Sequence, residues 1–203
     1  MKRFLGILGV GLAVWFSPGE AAEPTALKEG DGLPPVELRD QNGEAFRFDS
    51  HRGRAVVLTF VFSRCSVPSF CPAMSANFRA LQKTLRDDPS LAGRVHLVSV
   101  SIDPAYDTPE VLKRYADHFS IDSSDWSFVT GEERSVGGLA AAFSVFIDPT
   151  PDGSVDHTLT TALAGPDGKI RKLWRGNRWT PEEVIRELRT TLTPTAHSID
   201  SLP

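Results

Sequence analysis

The hydrophobic positions along this chain change period several times, and each change predicts an element. The clearest run is RAVVLTFVFS at residues 54–63, nearly continuous in Val, Leu and Phe. Such a run, with no polar alternation, predicts a strand buried on both faces of a mixed or parallel sheet. Before it, Val36 and Leu38 alternate with polar residues, Gln41-Asn42-Gly43 reads as a turn, and Phe46 and Phe48 alternate again. That pattern predicts a small β-hairpin. After it, Met74, Phe78, Leu81 and Leu85 have helical spacing. Pro72 suits the first helical position, where its missing N–H is harmless, and Asp87-Asp88-Pro89 ends the helix.

Further on, strands and helices keep alternating. RVHLVSVSI (94–102) alternates as a strand. Thr108-Pro109-Glu110 opens a helix that runs to about Phe119, with Asp107 or Thr108 as its cap. WSFVTG (126–131) is a short strand and turn, Glu132 to Phe143 a helix, and Val145-Phe146-Ile147 a brief strand. Leu159–Ala164 and Ile170–Trp174 form a hairpin over GPDG (165–168), and Thr180-Pro181-Glu182-Glu183 starts the last helix. The order predicts an α/β fold: a central mixed sheet flanked by helices, with an added N-terminal hairpin. A strand, two close cysteines and a helix in that setting point to a thioredoxin-like fold.

The N-terminus changes the picture of where the chain works. Lys2 and Arg3 precede an apolar run from Phe4 to Phe16, and small residues follow through Ala21 and Ala22. That is the layout of a secretory signal, and the run is short for a membrane span. An uncleaved N-terminal anchor is the alternative. With no cysteine near the cleavage site, a lipoprotein is excluded. The domain reading is residues 1–22 signal, 23–32 linker, 33–192 one thioredoxin-like domain and 193–203 a loose tail. The protein is expected outside the cytoplasm, in the periplasm or on the outer face of the cytoplasmic membrane. The net charge of −4 is mild, and no basic stripe appears, so nucleic-acid binding has no electrostatic footprint.

The chain has two cysteines, Cys65 and Cys71, and both lie in FSRCSVPSFCPAMS at residues 62–75. In an exported protein the default reading is a disulfide. A bridge over so short a loop adds little stability, so the pair is better placed for chemistry. The loop enters a helix N-terminus, whose dipole favours a thiolate, and Arg64 adds positive charge. One or both thiols are therefore expected to be acidic, fit for disulfide exchange or for a soft ion such as Cu(I). Of the five histidines, His157 stands out, in a loop just before a strand. Two thiolates and one imidazole suit three-coordinate Cu(I); zinc usually takes a fourth ligand. Met74 follows Cys71 by three residues, but its helical spacing with Phe78 favours core packing. Asp103, Asp107 and Asp156 read as caps and turn formers, with Asp156 a weak candidate to orient His157.

Several stretches taken together resemble the Sco/SenC family of thioredoxin-like copper proteins. LRDQNGEAFRFDSHRGRAVVLTFVFSRC is similar to that family's opening hairpin and central strand, and CPAMS follows the second cysteine. VSIDPAYDTPEVLKRYADHF is the most specific match, and WSFVTG, LAAAFSVF and VDHT…GPDGKI follow in the family's order. The resemblance implies copper, as Cu(I) or Cu(II), bound by Cys65, Cys71 and His157. It also implies a role at the binuclear copper centre of cytochrome c oxidase, by delivering copper or by reducing its cysteines. The implied partners are an apo-cuproprotein such as a cytochrome c oxidase subunit, and a thiol reductant. One departure is plain: the family's usual pair has three intervening residues, and here there are five.

Four functions remain open at this level. A metallochaperone would use all three residues. A thiol–disulfide oxidoreductase would use Cys65 and Cys71 alone, without need of the histidine, though its usual tight Cys-x-x-Cys spacing is absent. A peroxidase would need one strongly activated cysteine, against which the pair argues. The sequence does not separate a copper or redox sensor from the first.

Overall fold

The computed structural model describes residues 26–150 and 155–193. The signal and most of the tail lie outside the described residues. In chain order the elements are β1 (Leu38–Asp40), β2 (Ala45–Phe46), β3 (Ala55–Val61), α1 (Cys71–Asp87), β4 (Val95–Ser101), α2 (Pro109–His118) and β5 (Trp126–Thr130). Then come α3 (Glu133–Ala142), β6 (Ile147–Pro149), β7 (Val155–His157), β8 (Thr160–Ala164), β9 (Ile170–Arg175) and α4 (Pro181–Leu192). Among the described residues a seven-stranded mixed sheet has the order β2-β1-β5-β4-β3-β8-β9. This is the expected α/β architecture.

The central strands explain themselves. β3 and β4 pair in parallel over their whole length, Ala55 with Val95 through Val61 with Ser101, and every residue of both is buried. β4 was expected to alternate in exposure; it does not, because helices and loops cover both faces of a central parallel strand. β5 pairs parallel with β4, while β8 pairs antiparallel with β3. Helix α1 buries Met74, Phe78, Leu81 and Leu85 as one face, so Met74 is core, as its spacing predicts. It starts at Cys71, with Phe70 as N-cap, so Pro72 holds the second helical position rather than the first. Thr108 caps α2 by accepting from the Val111 amide, and Thr180 caps α4 from the Glu183 amide.

Three expectations change. Phe48 leaves the hairpin and opens a short 3-10 turn, Phe48–His51, because β2 pairs with β1 only over Ala45 and Phe46. The strand expected at 145–147 lies at Ile147–Pro149 instead: Val145 donates to Ala140 O and still belongs to the end of α3. From Ala26 on, the segment read as linker is tied to the domain. Leu27 N donates to Ala142 O, Gly30 N to Ile170 O, and Gly32 bridges Lys169.

Candidate metal centre

The topology brings one end of the sheet together. The cysteine loop leaves the C-terminal end of β3, where α/β sheets commonly bind ligands. β8 runs antiparallel to β3, with Thr161 opposite Thr59, so the residues just before β8 lie at that same end. Those residues include His157. It ends strand β7, whose pairing with β6 sets Ile147 opposite His157, so it is not in a loop as its sequence context predicts. The loop reading failed because a strand of three residues carries almost no periodic signal.

His157 and Cys71 meet. His157 Nε2 lies 3.7 Å from Cys71 Sγ, and the ring stands edge-on to Phe62 at 5.6 Å. His157 Nδ1 is 3.0 Å from the Thr158 carbonyl oxygen. A carbonyl only accepts, so Nδ1 carries the proton and Nε2 turns a bare lone pair toward the sulfur. Burial lowers the imidazole's affinity for a second proton, partly offset by the Thr158 carbonyl and by Asp156. The neutral ring is the form that binds metal.

Cys71 is fully buried, and burial pushes its thiol well above the ordinary range; the neighbouring Cys65 adds to the rise. The expected acidic thiol is therefore absent at Cys71. The helix dipole acts here, but the desolvation of a buried thiolate outweighs it. Cys65 sits half-buried at the start of the loop, its Sγ 3.9 Å from the Val67 carbonyl oxygen. Both cysteines are free thiols. Among the described residues, no three His, Cys, Asp or Glu side chains converge closely enough to enclose a metal ion. The structure thus joins Cys71 to both His157 and Cys65 without closing a three-donor cage.

Arg64 does not face the thiols as expected. Its guanidinium pairs with Asp103 at 2.6 Å and lies over the Tyr106 ring at 4.3 Å. Asp107 does not cap α2, since Thr108 does, and it has a different role. Fully buried, it accepts from the Ser63 amide at 3.1 Å, from the Ser63 hydroxyl, and from the Ser101 hydroxyl at 2.5 Å. It thereby fastens the root of the cysteine loop to the end of β4. The sequence holds a partial signal for this: Ser63 and Ser101 sit at the ends of apolar strand runs, where polar side chains need partners. Asp156, the residue before His157, is exposed.

The SCO1/SenC family model matches residues 26–193, and the chain belongs to that family. It is 29% identical over 165 residues to the SCO1 protein homolog of Bacillus subtilis, covering 79% of this chain and 83% of that one. The structure is similar to that of BsSco, described as a member of the Sco family of cytochrome c oxidase assembly proteins in which a disulfide switch was identified. That match has a TM-score of 0.68 and 28% identity, and covers 81% of this chain and 95% of the other. ScoI of Bradyrhizobium japonicum with copper bound matches with a TM-score of 0.66 at 27% identity, covering 79% and 99%. The fold is accordingly the thioredoxin-like one of that family.

Proposed function

We propose that the protein is a copper-binding metallochaperone of the cell envelope. It holds copper as cargo at Cys65, Cys71 and His157, and delivers it to the binuclear copper centre of cytochrome c oxidase or a similar cuproprotein. The observation that carries this is the contact between Cys71 and the unprotonated Nε2 of His157. A three-coordinate ion with bonds of about 2.0–2.3 Å holds its sulfur and nitrogen donors about 3.8 Å apart. The 3.7 Å contact has that spacing. Soft thiolates with one imidazole favour Cu(I) over harder ions. Cys65, free and near Cys71, supplies the third donor once the loop swings it in. Binding releases the thiol protons, and the ion's charge offsets the cost of the buried Cys71 thiolate. The similarity to a copper-bound ScoI supports the same cargo.

Transfer needs an approach side. Val67 and Phe70 on the cysteine loop, and Phe146 beside β6, are exposed large hydrophobics, and Phe146 is 72% exposed. Phe70, Phe146 and His157 line one open groove. An apolar rim around a donor site suits docking of a cuproprotein. Export rests on the N-terminal signal-like segment, and contact with the membrane would come only through that segment if it stays uncleaved.

A second reading is a thiol–disulfide oxidoreductase, which would also reduce the recipient's cysteines. Its favouring observation is the pair of neighbouring free thiols, one buried and one half-exposed. In it, Cys65 attacks a partner disulfide and Cys71 resolves the mixed disulfide, leaving a Cys65–Cys71 bridge and a reduced partner. An anaerobic competition titration with a coloured Cu(I) chelator separates the two. The metallochaperone gives one tightly held Cu(I), weakened by His157→Ala and abolished by Cys65→Ser/Cys71→Ser. Binding indifferent to His157 moves the weight to exchange.

A further inference from the structure

The turn between β9 and α4 carries no motif, yet it touches both halves of the candidate centre. β9 runs antiparallel to β8, with Arg175 opposite Thr160, so the chain leaves β9 at the end where β8 begins. Gly176 N donates to Leu159 O at 2.7 Å, two residues after His157. The next residue, Asn177, donates from Nδ2 to Ser69 O at 2.9 Å, two residues before Cys71. Gly176 has φ +82, a conformation that side chains rarely adopt, and it turns the chain between these two contacts.

The cysteine loop has little else to hold it. Its other hydrogen bonds are local: Cys65 N to Phe62 O at 3.3 Å, Phe70 N to Val67 O at 3.0 Å, Met74 N to Phe70 O at 2.9 Å, and the Cys65 thiol to Val67 O. Among the described residues, the Asn177 amide is the one hydrogen bond from a distant element to residues 66–70. Five residues held only by local turns would sample many conformers. A long-range tether beside Cys71 removes most of them. The chemistry is one-directional, since the Ser69 carbonyl accepts and only the amide nitrogen of Asn177 can donate.

We propose that Asn177 is a positioning residue, clasping the widened cysteine loop to the β8–β9 edge and so fixing how Cys65 and Cys71 face His157. This deepens the copper reading and rests on it for the metal arm of its test. Two variants remove the donor: Asn177→Ala, and the near-isosteric Asn177→Asp, which turns an anionic oxygen toward the Ser69 carbonyl. Each is measured in the full chain for Cu(I) affinity by chelator competition, for the alkylation rate of Cys65 in the reduced metal-free protein, and for thermal midpoint. Asn177 supports the loop rather than a ligand directly, so removing it acts at the low end of the range for a ligand's own hydrogen-bond partner, a loss of about tenfold in metal binding. The expected result is that loss in both variants, several-fold faster alkylation of Cys65, and an unchanged midpoint. Alkylation of both variants within about twofold of wild type would overturn the clasp. That arm contains no metal, so a wild-type protein that takes up no copper would count against the copper reading alone.

Discussion

His157 turns Nε2 to within 3.7 Å of Cys71 Sγ although 86 positions separate them in sequence. The contact follows from topology. β3 delivers the cysteine loop and the antiparallel β8 delivers His157 to one end of the sheet. The fold thus sets Cys71 and His157 side by side, while Cys65 stays half-buried at the start of the same loop.

The two thiols differ in environment, so they should differ in reactivity. Cys71 is fully buried and its thiol is pushed up by burial, while Cys65 is half-buried. Alkylation with iodoacetamide at neutral pH, read by peptide mass spectrometry on the reduced metal-free protein, should modify Cys65 at least about tenfold faster. Equal rates would mean that Cys71 is not sequestered.

Asp107 should be worth more to stability than a helix cap. Removing it strands the donors of Ser63 and Ser101 at a buried position. Asp107→Ala is expected to cost about 2–3 kcal/mol in urea unfolding, as for other buried donors left without acceptors. Asp107→Asn, which keeps one acceptor oxygen, should cost less. A cost under about 0.5 kcal/mol for the alanine variant would show that water or a neighbour replaces the carboxylate.

Acid should destabilise the far end of the sheet. His96 is buried on β4, stacked on His51 at 4.0 Å, with Arg54 at its Nδ1 and Ser127 at its Nε2. Phe46 packs on the same ring stack. Burial, with His51 and Arg54 adding to it, lowers the His96 pKa to about 3. His51 is lowered too, by burial and then by Arg54. Unfolded histidine takes a proton near pH 6.5 and folded His96 only near pH 3, so the unfolded state gains protons first. Stability is full above about pH 6.5 and falls as pH drops toward 3, by about 3 kcal/mol at pH 4 for His96 alone. Urea midpoints at pH 7 and pH 4.5 should show a smaller acid loss in His96→Gln than in wild type. Equal losses would place the acid sensitivity elsewhere.

The sequence made the frame and the two ends of the site readable, but not how they are joined. RAVVLTFVFS announces β3 because a strand buried on both faces must be apolar throughout, and Thr108 and Thr180 announce their helices because open N-termini need acceptors. Cys65 and Cys71 stand out by being the only two. What was hidden is tertiary. The rise in the Cys71 thiol comes from burial that no local pattern reports. Arg64 is drawn off by Asp103, and the β7 strand is too short to show a period. Asn177 is an ordinary surface residue until the antiparallel return of β9 sets it against Ser69.

The central claim is that Cys65, Cys71 and His157 together hold the copper. Copper K-edge X-ray absorption on the reduced, Cu(I)-loaded protein tests it most directly, with His157→Ala measured beside it. The claim predicts two sulfur scatterers and one imidazole nitrogen in the wild type, with the imidazole signal lost in the variant. A shell of sulfur alone, identical in both proteins, would contradict it.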